Sequence, residues 1–66
     1  MQVTLDNAKA YVNAKLTEWG YTEFVIVNAI ILHGGDVVDV AFTVENEAHH
    51  HIFTIWVQDG KLYGEW

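Results

Sequence analysis

Apolar and polar residues near the start of the chain alternate with the period of a helix. One stripe of a helical wheel carries the apolar residues Leu5, Ala8, Val12, Leu16 and Trp19. Polar residues occupy the other faces, as in an amphipathic helix that covers a core. Thr4 is a preferred N-cap residue, and Gly20 is the residue type that most often ends a helix. The pattern predicts a helix over residues 5–19.

The rest of the chain has the composition of strands separated by turns. Strands are predicted over residues 23–32, 37–45, 49–58 and 61–66. Gly34-Gly35 and Asp59-Gly60 are two-residue hairpin signals, and Asn46–Ala48 forms the turn between them. The predicted fold class is α+β: one N-terminal helix packed on a four-stranded antiparallel meander sheet in two layers, α-β-β-β-β. Residues 1–66 are long enough for a single domain only.

The first predicted strand is apolar on both of its faces. Its sequence is EFVIVNAIIL, and Asn28 is its single interior polar residue. A strand that covers one core needs apolar residues at every second position only, so this strand predicts a partner on each side of the sheet. Register from the turns places one set toward the helix, namely Val25, Val27, Ala29, Ile31, Val38, Val40, Phe42 and Val44.

The opposite sheet face is predicted to be apolar and without a helix over it. Its candidate interface residues are Phe24, Ile26, Ile30, Leu32, Val37, Ile52, Trp56 and Tyr63. A tight turn at residues 46–47 would align Leu32, Val37, Trp56 and Tyr63 in one row. Strong sheet twist, or Tyr11 or Tyr21 folding over, is one way to hide such a face. The favoured interpretation is a homodimer interface, because monomers rarely expose a large apolar patch.

Charge argues against several classes of partner. Three lysines and no arginine stand against nine carboxylates, for a formal net charge of -6. This balance repels a phosphate backbone, so direct nucleic-acid binding is not expected. The chain starts without a signal-peptide pattern and has no apolar run of bilayer length, which predicts a cytoplasmic protein without a membrane partner.

The triplet His49-His50-His51 is the candidate for metal chemistry. On a strand, His49 and His51 point the same way, and Glu45 or Glu47 from the neighbouring turn would supply a third ligand. The simpler interpretation is a solvated strand start beside an acidic turn, or a pH-dependent contact. We therefore expect no metal and no cofactor. If a metal ion did bind, His49 and His51 would be its candidate ligands.

Catalytic equipment is sparse. The chain has no serine and no cysteine, and its threonines and tyrosines lie in no recognisable nucleophile setting. Asp39 and Glu65 share a predicted sheet face, but a helix on a small sheet leaves little concavity between carboxylates. Enzyme activity is not expected.

The layout is similar in outline to that of cystatin-like and PepSY-like domains, which inhibit or bind other proteins. The cystatin Q-x-V-x-G motif is absent from the first hairpin, where His33-Gly34-Gly35-Asp36 stands instead, so no residue roles carry over. The size, acidity and lack of catalytic residues also resemble small phage or mobile-element proteins that block a host protein. The predicted function is a small acidic protein-binding module, homodimeric through its uncovered sheet face, that inhibits or regulates another protein. The alternative is a domain that binds a small apolar ligand between two such faces.

Overall fold

A computed structural model describes residues 3–45 and 47–66 as one helix followed by four strands. The elements are α1 (Leu5–Glu18), β1 (Phe24–Leu32), a 3₁₀ turn (His33–Gly35), β2 (Val37–Val44), β3 (His51–Gln58) and β4 (Lys61–Glu65). The strands pair antiparallel in the order β1-β2-β3-β4, which confirms the predicted fold class. The predicted turn Asn46–Ala48 includes residue 46, which lies outside the described residues.

The ends of α1 follow the predicted capping chemistry. The Thr4 hydroxyl accepts a hydrogen bond from the backbone N–H of Asn7 at 3.1 Å, which satisfies one of the donors left free at a helix start. Trp19 is the C-cap and not the last helical residue, and Gly20 follows with a φ of 93°. Ala8, Val12 and Leu16 form the buried stripe.

Turn geometry sets the register of both hairpins. Asp59 and Gly60 have φ angles of 52° and 75°, so both have the positive φ that a type I′ turn requires. The first hairpin has the predicted register, but its last pair is Leu32–Val37, so four residues form the connection.

A bulge in β1 changes which of its side chains face the helix. The pairing with β2 shifts between Ile26 and Asn28, which leaves Val27 as an extra residue. Because side chains alternate with a period of two, one extra residue exchanges the two faces of everything before it. The predicted core positions Val25 and Val27 are therefore wrong: these residues are 62% and 50% exposed. Ile31 lies opposite Val38 on the predicted side but is 48% exposed, so it is not in the core either.

The same bulge corrects two of the predicted interface residues. Phe24 lies opposite Val44 and Ile26 opposite Phe42, so both face the helix side and pack against the core. The apolar run of β1 thus directs side chains toward the helix both before and after the bulge. These side chains stand at even-numbered positions before the bulge and at odd-numbered positions after it. The fully buried core consists of Val3, Ala8, Val12, Leu16, Val38, Val40, Phe42, Val44, Phe53 and Ile55. Among the described residues, no polar side chain is buried.

Aromatic rings close the helix side of the sheet near β3 and β4. Trp19 stacks on Phe53 at 5.8 Å between ring centroids, and Tyr11 meets Phe53 edge-on at 6.0 Å. Trp66 stacks on Trp19 at 6.4 Å and contacts Phe42 at 4.8 Å. Trp19 and Trp66 therefore lie at the edge of the core, although both rings remain partly exposed.

Candidate interaction surface and histidine cluster

The sheet side away from α1, called the outer face below, carries an apolar row that crosses all four strands. Leu32 pairs with Val37, Val37 with Trp56, and Trp56 with Tyr63. The rings of Trp56 and Tyr63 stack with their centroids 6.3 Å apart and their planes inclined by 21°. The alignment that the turn chemistry predicted is confirmed, and it puts two large aromatic side chains side by side on an open surface.

Polar residues border this row on both sides. The next row toward the β2–β3 loop contains Ile30, Asp39, Thr54 and Glu65. The Thr54 hydroxyl donates a hydrogen bond to Oδ1 of Asp39 at 2.9 Å, so part of the carboxylate is already satisfied within the sheet. On the other side of the row lies the last pair of the second hairpin, Gln58 and Lys61. The outer face is thus an apolar strip with carboxylates along one border and an ammonium group on the other.

Nothing within the described chain covers this strip. Tyr11 packs on Phe53 and Tyr21 on Trp66, so both tyrosines lie on the helix side of the sheet. About half of the Ile30 and Ile52 side chains is exposed. The apolar outer face is therefore a solvent-exposed surface of the single chain.

A cluster of three potential metal ligands lies where β3 begins. Oε2 of Glu47 lies 3.1 Å from Nε2 of His49 and 2.9 Å from Nε2 of His51. The three atoms lie within 4.8 Å of one another. The structure thus brings His49 and His51 together and selects Glu47 from the two candidate glutamates. The predicted strand began at His49, but β3 begins at His51, so His49 reaches the cluster from the loop and not through strand alternation. These three residues are called the histidine cluster below.

The members of the histidine cluster differ in how they are held. His51 is 23% exposed, and its ring contacts Trp66 at 5.1 Å and Phe42 at 5.6 Å. His49 is 72% exposed and meets His51 edge-on at 4.9 Å. The aromatic packing fixes His51 while His49 stays accessible. Sequence reasoning missed this packing, because Trp66 and Phe42 are distant from the triplet along the chain.

Two other histidines lie outside the cluster. His33 begins the turn between β1 and β2, at the opposite end of the sheet from the β2–β3 loop, as predicted. His50 lies between the two ligands in sequence, is exposed, and contributes no ligand atom to the group. It differs from His49 in position only, which makes it a matched control for experiments on the cluster.

A shallow depression of about 330 Å³ lies beside the start of β1. Its lining residues are Thr22, Glu23, Phe24, Val25 and Thr43. The lining mixes polar and apolar groups and does not overlap the histidine cluster or the apolar row. Within the described residues, no helix has the length and apolar character needed to cross a bilayer.

Comparisons with protein-family models, curated proteins and solved structures found no match for this chain.

Proposed function

We propose that this chain is a small acidic protein-binding module that forms a homodimer through its outer face and acts by occupying the surface of another protein. One observation carries the proposal: the row Leu32, Val37, Trp56 and Tyr63 crosses all four strands, with Leu32 and Tyr63 exposed and Val37 and Trp56 half-buried. Tryptophan and tyrosine are the residue types that most often dominate binding energy at interfaces. An uncovered apolar strip that contains both residue types favours a role in association with another protein surface.

A second copy of the same face is the occupant that fits this surface best. Two sheets pack face to face at a spacing of about 10 Å when their inner faces are apolar. In a two-fold dimer the same patch serves both subunits, so each strip would cover the other. Dimerisation would cover the outer face of the sheet, as the apolar residues on both faces of β1 predict.

The charges at the borders of the strip favour one orientation of the two-fold axis. Lys61 lies on one side of the row and Glu65 on the other, both on β4 and both exposed. An axis along the row reverses the strand direction in the partner and places Lys61 opposite Glu65 of the partner subunit. An axis parallel to the strands through the middle of the sheet would instead place β4 opposite β1 of the partner subunit, so neither charge would meet its complement. Complementary charges at a rim set orientation more than affinity, so we propose the axis along the row.

The net charge of the chain does not oppose this arrangement strongly. Of the nine carboxylates, the outer face carries those of Asp39 and Glu65. The others lie on α1, before β1, or in the loops between strands. Charges held away from an interface are screened by salt over about 10 Å. In this dimer the helix and the sheet edges stay accessible, and they are the surfaces with which a regulatory or inhibitory module would bind its target.

The mass of the protein in solution tests the dimer directly. Multi-angle light scattering should give twice the chain mass of 7.5 kDa at high concentration, with dissociation toward the monomer on dilution. A mass equal to one chain at every concentration would overturn the dimer. It would leave the outer face as a surface for a different protein.

A charge exchange tests the proposed orientation. Lys61→Glu and Glu65→Lys should each weaken the dimer about tenfold, because each places like charges together at two symmetric sites worth up to ~1 kcal/mol apiece. The double variant should recover wild-type affinity, since it restores both pairs with their signs exchanged. Dimer dissociation constants from analytical ultracentrifugation at low salt provide the readout. Single variants that dimerise like the wild type would refute this orientation.

A further inference from the structure

We propose that Glu47, His49 and His51 bind one zinc ion, or a first-row divalent ion with similar ligand preference. A zinc ion with bonds of about 2.0 to 2.1 Å in tetrahedral geometry holds neighbouring ligand atoms roughly 3.3 Å apart. The Glu47 carboxylate oxygen lies 3.1 and 2.9 Å from the two Nε2 atoms. All three ligand atoms lie within 4.8 Å of one another, so rotations of the exposed His49 side chain that bring the two imidazole nitrogens to a separation of roughly 3.3 Å would admit an ion.

The proton positions change when the ion binds. Without an ion, Oε2 of Glu47 is hydrogen-bonded to Nε2 of His51 and lies 3.1 Å from Nε2 of His49. Coordination uses the Nε2 lone pair, so each neutral imidazole then carries its proton on Nδ1. The ion replaces one hydrogen bond and one close polar contact with three coordination bonds, and the carboxylate offsets one of its two charges.

The ligand set selects the class of ion. Two imidazoles and one carboxylate suit zinc, cobalt, nickel and copper, whereas calcium and magnesium prefer an all-oxygen shell. The overall charge of -6 raises the local concentration of cations near the chain. Three protein ligands leave a fourth position for water, and the exposed His49 ring provides a path for the ion to enter.

Binding would tie the β2–β3 loop to the sheet. Glu47 belongs to the loop, whereas His51 is the first residue of β3 and is held by Trp66 and Phe42. A ligand that binds only the folded chain stabilises it by mass action. Because His51 lies opposite Phe42 on the helix side of the sheet, this site uses no residue of the outer face. A negative result for zinc binding would therefore leave the dimer proposal standing, and a negative result for the dimer would leave the zinc proposal standing.

The test uses the full chain without an affinity tag, after treatment with a chelator. Isothermal titration calorimetry should show one equivalent of Zn²⁺ per chain, and Zn²⁺ but not Ca²⁺ should raise the melting temperature. His49→Ala should weaken binding by roughly 100-fold, since even outer-shell partners of a metal ligand change affinity 10- to 100-fold. His50→Ala, the matched control, should bind like the wild type. Circular dichroism of each variant shows that it is folded.

Cobalt provides a second readout, because Co²⁺ in a tetrahedral protein site gives intense visible absorption bands, whereas octahedral Co²⁺ absorbs only weakly. These bands should appear with the wild type and with His50→Ala, and should be lost with His49→Ala. Absence of zinc binding by the wild type would overturn the proposal. Equal loss in the two histidine variants would overturn it too, since that result means adventitious binding to the triplet.

Discussion

Replacing Trp56 with alanine is expected to dissociate the homodimer and to leave the monomer folded. Trp56 lies in the centre of the apolar row and stacks on Tyr63, while its ring makes no contact with the aromatic cluster on the helix side. Central tryptophans at interfaces typically contribute about 2 kcal/mol or more each. A two-fold dimer loses two of them, so the dissociation constant should rise by roughly 1000-fold.

The measurement is the concentration dependence of mass by light scattering, together with thermal unfolding at a concentration where the wild type is monomeric. Dilution is necessary because association itself stabilises the folded chain. Trp66→Ala is the matched control: Trp66 packs on Phe42, Trp19 and Tyr21 on the helix side. It should lower the melting temperature with little effect on dimer affinity. The reverse pattern, with Trp56→Ala still dimeric and less stable, would show that the outer face is not the interface.

Gly64→Ala is expected to destabilise the fold, although it adds a single methyl group. A Cβ on Gly64 would lie 2.5 Å from Cε1 of Phe53, 2.6 Å from Cε1 of Tyr11 and 2.8 Å from Cδ1 of Ile55. Phe53 and Ile55 are fully buried, and Phe53 is also held beneath Trp19. Because close-packed cores respond to added volume with strain, the cost should be about 1 to 3 kcal/mol.

That cost is large for a chain of this size. A domain of fewer than about 70 residues has a net stability of roughly 3 to 5 kcal/mol, and 1 kcal/mol lowers the melting temperature by about 4 to 8 °C. Urea unfolding monitored by circular dichroism would measure the change. Removing the Tyr11 ring vacates part of the space, so Gly64→Ala should cost less in a Tyr11→Ala background. Unchanged stability of the single variant would mean that the sheet yields at β4 without strain.

Much of this fold was predictable because its signals are local. A stripe at spacings of three and four defines a helix, and Thr4 and Gly20 mark its ends through backbone hydrogen bonds and a positive φ. Gly34-Gly35 and Asp59-Gly60 mark the positions of two hairpin turns. Turn position then decides which residues lie opposite each other, since side chains alternate along a strand. This reasoning suffices for the row Leu32, Val37, Trp56 and Tyr63. It does not account for the approach of His49 to His51, because His49 precedes β3.

The predictions that were wrong or incomplete depend on contacts between residues that are far apart in the sequence. The strand β1 is apolar on both faces, so its sequence pattern does not indicate where a bulge lies. The position of the bulge at Val27 depends on how Phe24 and Ile26 pack against the core beside β2. The choice of Glu47 over Glu45 depends on the path of the β2–β3 loop.

The packing of His51 on Trp66, and the need for glycine at position 64, arise where chain segments far apart in sequence meet. Local patterns thus predict the elements and their register because the physics involved spans a few residues. Packing in three dimensions decides the bulge, the metal-ligand geometry and the crowded positions, because steric fit between layers has no local signature.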